Sequence, residues 1–261
     1  MPSQALSPLK TVLAVARGYL PRVVQARGWV LAALAILPVL FSLLGSLLAQ
    51  NVEGFNSRTA LQVFHGVLVS LILPIMALVA APGGIREDLE QRTLPLILTR
   101  PVTVWALPLG KGLLWFLWGG LWLGLGCSGL LFLGADAATL AAHGLALILA
   151  FWAELAFMNL LGLVFSRGTL WGALVLFGWE NLLRVLPASL QRFTFLHHIE
   201  SISGSRGGMV ANYEVLAQAQ ITSPVWVSAL ALVLFGALCW GLAGWKLHLT
   251  PIGLAGQEGE G

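Results

Sequence analysis

Six long apolar runs separated by short polar stretches set the pattern of the chain: residues 29–49, 63–82, 113–133, 141–165, 170–187 and 225–245. Each approaches the roughly 17–25 apolar residues that the hydrocarbon core of a bilayer requires. The pattern predicts helices, because an isolated strand would leave its backbone groups unpaired in lipid. Pro38 and Pro74 fall inside the first two runs and predict kinks there. The fifth run is short and carries Glu180, Asn181 and Arg184.

The stretches between the runs are not uniform. Residues 1–28 hold a Ser7-Pro8 pair suited to N-cap and first helical position. Leu9, Val12, Leu13, Ala16, Leu20, Val23 and Val24 then follow helical spacing, while Lys10, Arg17 and Arg27 fall largely off that stripe. The segment reads as a basic amphipathic helix lying along the inner leaflet, against the plainer alternative of an unordered basic leader. The first apolar run is too long for a signal h-region of about 7–15 residues, so it reads as a retained span. Residues 83–112 read GGIREDLEQRTLPLILTRPVTVWALPLGKG. Arg86, Glu87, Asp88, Glu90 and Arg92 come first, then an apolar patch of Leu94, Leu96, Ile97 and Leu98, then Arg100-Pro101. A short helix, a turn and a second short helix fit this order. A solvated connector is the alternative, but it would expose a sticky patch. In 188–224, Phe195, Leu196, Ile199 and Ile202 recur at helical spacing and predict an outer amphipathic helix ended by glycines, with a second short helix over 212–220.

Composition changes the picture by excluding classes. Of 261 residues, 58% are hydrophobic and only 10% charged, and the mean hydropathy is +0.87. Ordinary soluble domains carry roughly 25% charge, so a soluble enzyme, a disordered tail and a coiled coil are excluded. The 14 Lys and Arg residues set orientation. With the N-terminus inside, Lys10, Arg17, Arg22, Arg27, Arg86, Arg92, Arg100, Lys111, Arg167 and Lys246 are cytoplasmic; Arg58, Arg184, Arg192 and Arg206 are not. Both termini are therefore expected in the cytoplasm of a bacterial-type inner (plasma) membrane. Trp29, Trp105, Trp171 and Trp245 at inner ends agree. Cys127 and Cys239 lie in apolar runs and read as packing residues.

Candidate chemistry is sparse. No G-x-x-x-x-G-K-[ST] loop is present, since Gly110-Lys111 lacks both the upstream glycine and the following hydroxyl. The chain is expected to hold no cofactor and no metal; His197-His198 with Glu200 reads as membrane-surface polarity, because adjacent helical histidines diverge by about 100°. His65, His143 and His248 near span ends read as wet polar tips. Glu154, with Asn159 nearby, and Glu180, Asn181 and Arg184 lie within spans, where an ionisable group costs roughly 2.5–3.5 kcal/mol and faces protein or a water path. Glu180 and Arg184, four apart, can pair on one helix face. Glu154, Glu180, Asn181 and Arg184 are either a polar substrate path or a structural lock. Trp115, Trp118 and Trp122 form a stripe, and Gly120 and Gly124 predict close helix packing.

Residues 85–112 resemble the membrane subunits of type-2 ABC exporters, which carry between spans two and three a pattern like E-x-E-x-G-T-L-x-x-L-L-x-R-P-V followed by G-K. Here it reads Glu87, Glu90, Thr93-Leu94, Leu98, Arg100-Pro101-Val102 and Gly110-Lys111. Arg92 stands where that family usually has Gly, and Pro95 lies within the helix.

The resemblance implies an all-α integral membrane protein. Its parts would be a cytoplasmic interfacial elbow helix (1–28), a six-span domain (29–245) and a cytoplasmic tail (246–261). It implies a homodimer, or a pair with a similar subunit, embedded in membrane lipid, with two separate ABC ATPase subunits as partners and no nucleic acid. ATP and Mg would bind those partners, and this chain would not be an enzyme. Glu87, Asp88, Glu90, Arg92, Thr93, Leu94, Leu96, Ile97, Leu98, Arg100 and Pro101 would dock on the ATPase. An intramembrane enzyme using Glu154 and Glu180, and a membrane anchor that recruits a cytoplasmic protein, are the alternatives.

Overall fold

The structure, a computed structural model, describes residues 8–52, 57–81, 88, 103–183, 188–205 and 222–249. All elements among the described residues are helical. α1 is Pro8–Val23 and α2 is Ala26–Asn51. α3 runs from Ser57–Val67 through a π-helical turn, Leu68–Ile72, into Leu73–Ala80. α4 is Ala106–Cys127, tightening to a 3-10 turn over Ser128–Leu133. α5 is Ala137–Val164. α6 comprises Gly168–Ala173, a π-helical stretch Leu174–Trp179 and Glu180–Leu183. α7 is the short Ala188–Gln191, α8 is Phe195–Ser203 and α9 is Val225–Leu249.

Five of these helices are long and apolar enough to cross a membrane: α2, α3, α4 with its 3-10 extension, α5 and α9. The expected fifth span is α6, whose segments of six, six and four residues give about 24 Å of rise against roughly 30 Å of hydrocarbon. The apolar run was legible; the helix continues through its π-helical stretch, and its described part stops at Leu183. α4 starts at Ala106, seven residues ahead of the expected run, with Pro108 in its first turn, where the missing N–H has no intrahelical partner anyway. Of the two prolines expected to kink spans, Pro38 lies in a continuous helix. Pro74 lies two residues past the end of the π-helical turn, where the helix is already widened.

α5 is the central helix. It packs against α9, α8, α4, α6 and the end of α3. Ala146, Ala150, Ala153 and Ala156 on it are all fully buried, and such small side chains let neighbouring backbones approach closely. Asp136 caps its start, accepting the Thr139 N–H at 2.9 Å, an interaction of about 1 kcal/mol. α2 presents Ile36, Leu40, Phe41, Leu44 and Leu47 outward, an apolar face that suits lipid or another helix and not water.

Packing corrects two local expectations. Gly120 and Gly124 face open space, and tight contacts on α4 are instead at Gly110 against α1, Gly112 against Trp240 and Gly119 against Phe151. His65 and His143 are not wet tips. Both are 1% exposed, and their rings meet edge to face at 5.0 Å where α3 and α5 approach.

Candidate functional site

The first candidate site forms where α1 crosses the start of α4. α1 buries Val15, Ala16 and Val23 and leaves Leu9, Leu13 and Leu20 exposed beside the exposed Lys10 and Arg17. Its approach is close at Gly110: a Cβ there would lie 2.8 Å from the Val12 carbonyl oxygen and 2.8 Å from the Val15 Cβ. Lys111, the next residue, is 2% exposed. Its ammonium donates to Asp88 Oδ2 and sits 4.0 Å from the centre of the Tyr19 ring. Tyr19 Oη donates to the same carboxylate oxygen at 2.8 Å. Arg22 Nη1 reaches Asp88 Oδ1 at 3.4 Å from a half-exposed position.

The Gly110-Lys111 pair thus has two separate physical jobs. The glycine admits the backbone of α1, and the lysine supplies the counter-charge for a buried acid. Gly110→Val should push α1 off α4, at about 1–3 kcal/mol for overpacking. The drop would appear in the unfolding midpoint, with loss of protection at a cysteine placed at Val15.

Asp88 belongs to the stretch expected to dock on an ATPase, yet its side chain is enclosed. Its carboxylate is held by Lys111 of α4 and by Tyr19 and Arg22 of α1. The other residues of that expectation, Glu87, Glu90, Arg92, Thr93, Leu94, Leu96, Ile97, Leu98, Arg100 and Pro101, lie outside the described residues, as does Arg184.

The second candidate site is inside the bundle. Glu154, 2% exposed, and Glu180, 7% exposed, line one cavity with Ser70, Asn181, Leu196 and Ile199. Glu180 closes the start of α8: its Oε1 accepts the Phe195 N–H at 3.0 Å and its Oε2 the Leu196 N–H at 3.1 Å. Thr194 accepts the third amide, from His197, at 3.1 Å. A negative charge at a helix N-terminus also suits the helix dipole. Asn181 donates to the Phe177 carbonyl at 2.6 Å, and Asn159 to that of Leu155 at 2.8 Å. Glu180 also lines a larger pocket of about 320 Å³ between α6 and α9, walled by Phe157, Trp179, Phe195 and Phe235 with Arg192 and His198. That is within the size range of small-molecule sites. The sequence marked Glu154, Glu180 and Asn181 as polar groups within apolar runs, and the structure brings all three to one cavity. Sequence reasoning missed Tyr19, Arg22, Ser70 and Thr194, of which only Thr194 had a local signal, as an N-cap ahead of an amphipathic run.

α8 lies outside the five long apolar helices and buries Leu196, His197, Ile199 and Ile202. Burial, with lesser contributions from His198 and Arg192, pushes the His197 imidazole down to about 4 from 6.5. The unfolded chain therefore takes up this proton first as pH falls. The stability of the neutral form is complete above about 6.5 and lost as pH drops toward 4. His197→Asn should flatten the unfolding midpoint across that window; an unchanged slope would remove His197 as its cause. Among the described residues no group of three or more His, Cys, Asp or Glu could hold a metal.

No protein-family model matches the chain, and no curated protein matches its sequence. The fold and the five apolar helices define an all-helical, multi-pass membrane protein.

Proposed function

We propose that the chain is the permease subunit of an ATP-driven exporter of the type-2 ABC kind, working as a dimer with two separate ATPase subunits that carry ATP and Mg. In this reading α6 completes a sixth span with residues beyond Leu183, α1 is the cytoplasmic elbow, and both termini are cytoplasmic. The observation that carries it is the attachment of Asp88 to Lys111 on α4 and to Tyr19 and Arg22 on α1. A loop pinned to an interfacial helix and a long apolar helix at once moves both when a partner pushes it. The pocket beside Glu180 supports a route for a substrate between α6 and α9.

The test is made on the docking stretch. Leu94→Asp or Leu98→Asp puts a charge into the apolar patch, and a lone buried charge is costly. Either change should abolish capture of the ATPase and transport-coupled hydrolysis in nanodiscs. Glu87→Lys should do little, because rim ion pairs contribute about 0–1 kcal/mol. Intact assembly and coupling in Leu94→Asp would show that this stretch is not the coupling element.

A further inference from the structure

The cavity between α3, α5, α6 and α8 has a volume of about 20 Å³, enough for one water-sized particle. Both π-helical stretches among the described residues line it, α3 through Val69 and Ser70 and α6 through Leu176. Such bulges widen a helix and recur at functional positions. The polar groups around it are unequally served. Glu180 holds two amides of α8, and Asn181 donates to its own helix. Glu154 Oε2 is buried and has no hydrogen-bond partner. A buried carboxyl oxygen with nothing to bind is costly, and its side chain lines this cavity.

We propose that the cavity binds one small monovalent cation, a proton or a sodium ion, held by Glu154 against Glu180. Two carboxyl groups facing one water-sized space repel, and a single positive charge between them removes both the repulsion and the unsatisfied oxygen. Ser70 adds a hydroxyl to the lining. Divalent ions fit poorly: Mg²⁺ keeps several waters, and Ca²⁺ takes about 6–8 oxygens, more than this lining offers. Among the described residues of the elements packed around Glu154, only α6 brings another ionisable group to the cavity, Glu180. His65 on α3, Lys111 and Cys127 on α4, His197, His198 and Glu200 on α8, and Cys239, Lys246 and His248 on α9 line no part of it. The inference stands on the cavity alone and does not rest on the transporter reading.

The test uses the full chain in lipid nanodiscs. One arm follows the carboxylic-acid C=O stretch by infrared difference spectroscopy while pH is varied. The other follows the thermal midpoint while Na⁺ replaces choline at constant ionic strength. A titrating buried-carboxyl band that is lost in Glu154→Gln assigns a proton. A rise in the midpoint with Na⁺ that is lost in Glu154→Gln assigns sodium. Should Glu154→Gln not fold, Glu154→Asp draws the carboxyl back by one methylene and must move the band or weaken the Na⁺ response. Absence of both signals in the natural chain, or signals that Glu154 substitutions leave unmoved, overturns the proposal.

Discussion

Replacing Lys111 with methionine is expected to lower the unfolding free energy by about 3–5 kcal/mol, the cost of breaking a buried ion pair on one side. Methionine keeps most of the lysine stem, so the lost packing is small. What changes is Asp88, whose side chain is 1% exposed. Without the ammonium it retains the Tyr19 hydroxyl at 2.8 Å and Arg22 at 3.4 Å. Arg22 is half in solvent, and its charge is screened accordingly. The double change Asp88→Asn with Lys111→Met should recover most of the loss, because it removes the orphaned charge with its partner. Denaturant unfolding in micelles reads both. If Lys111→Met unfolds like the natural chain, Asp88 does not depend on Lys111, and the proposed tie between Asp88 and α4 loses its physical basis. Arg22→Ala gives the contrast, at about 0–1 kcal/mol for an exposed partner.

The same cluster shows how far the sequence could be read. Lipid demands long apolar runs, so the five long helices were visible from hydropathy alone, with boundaries misplaced where a helix extends past the apolar run, as α4 does back to Ala106. Gly110-Lys111 was visible as a pair, but its partners were not: Asp88 lies 23 residues away, and Tyr19 meets Asp88 across 69. Local spacing cannot report pairings at that range, and a charge beside a bundle gives no sign of whether it faces water or an opposite charge. The glycines show the same limit from the other side. Gly120 and Gly124 have the spacing of a packing motif but face open space, while Gly112, in no such pair, meets Trp240. Which helix face is covered depends on neighbours, and the pattern alone does not hold them. Glu180 is the clearest case. Its two carboxylate oxygens accept amides from α8, 15 and 16 residues away, a pairing that no spacing along one helix face announces.

Glu180→Leu is accordingly expected to unseat α8. The leucine fits the apolar surroundings of α6, so the side chain itself is tolerated. The loss falls on the Phe195 and Leu196 amides, which would have no acceptor in a part-buried to buried place. Each such amide costs about 1–3 kcal/mol, giving a fall of about 2–4 kcal/mol for the pair once the exposed edge of Phe195 is allowed for. Relief of repulsion with Glu154 works the other way and keeps the figure below the sum. Glu180→Gln should cost about half as much, because its carbonyl oxygen can accept one amide while its NH₂ group turns a donor toward the other. Thr194→Ala is the comparator at about 1 kcal/mol, since it removes a single neutral cap from the same helix start. Hydrogen exchange at Phe195 and Leu196 reads the effect locally. Protection should fall in the order natural chain, Glu180→Gln, Glu180→Leu, with α5 and α9 unchanged. Full protection at both amides in Glu180→Leu would mean that packing on α5 and α9 alone seats α8, and that Glu180 is kept in the bundle for the cavity it shares with Glu154.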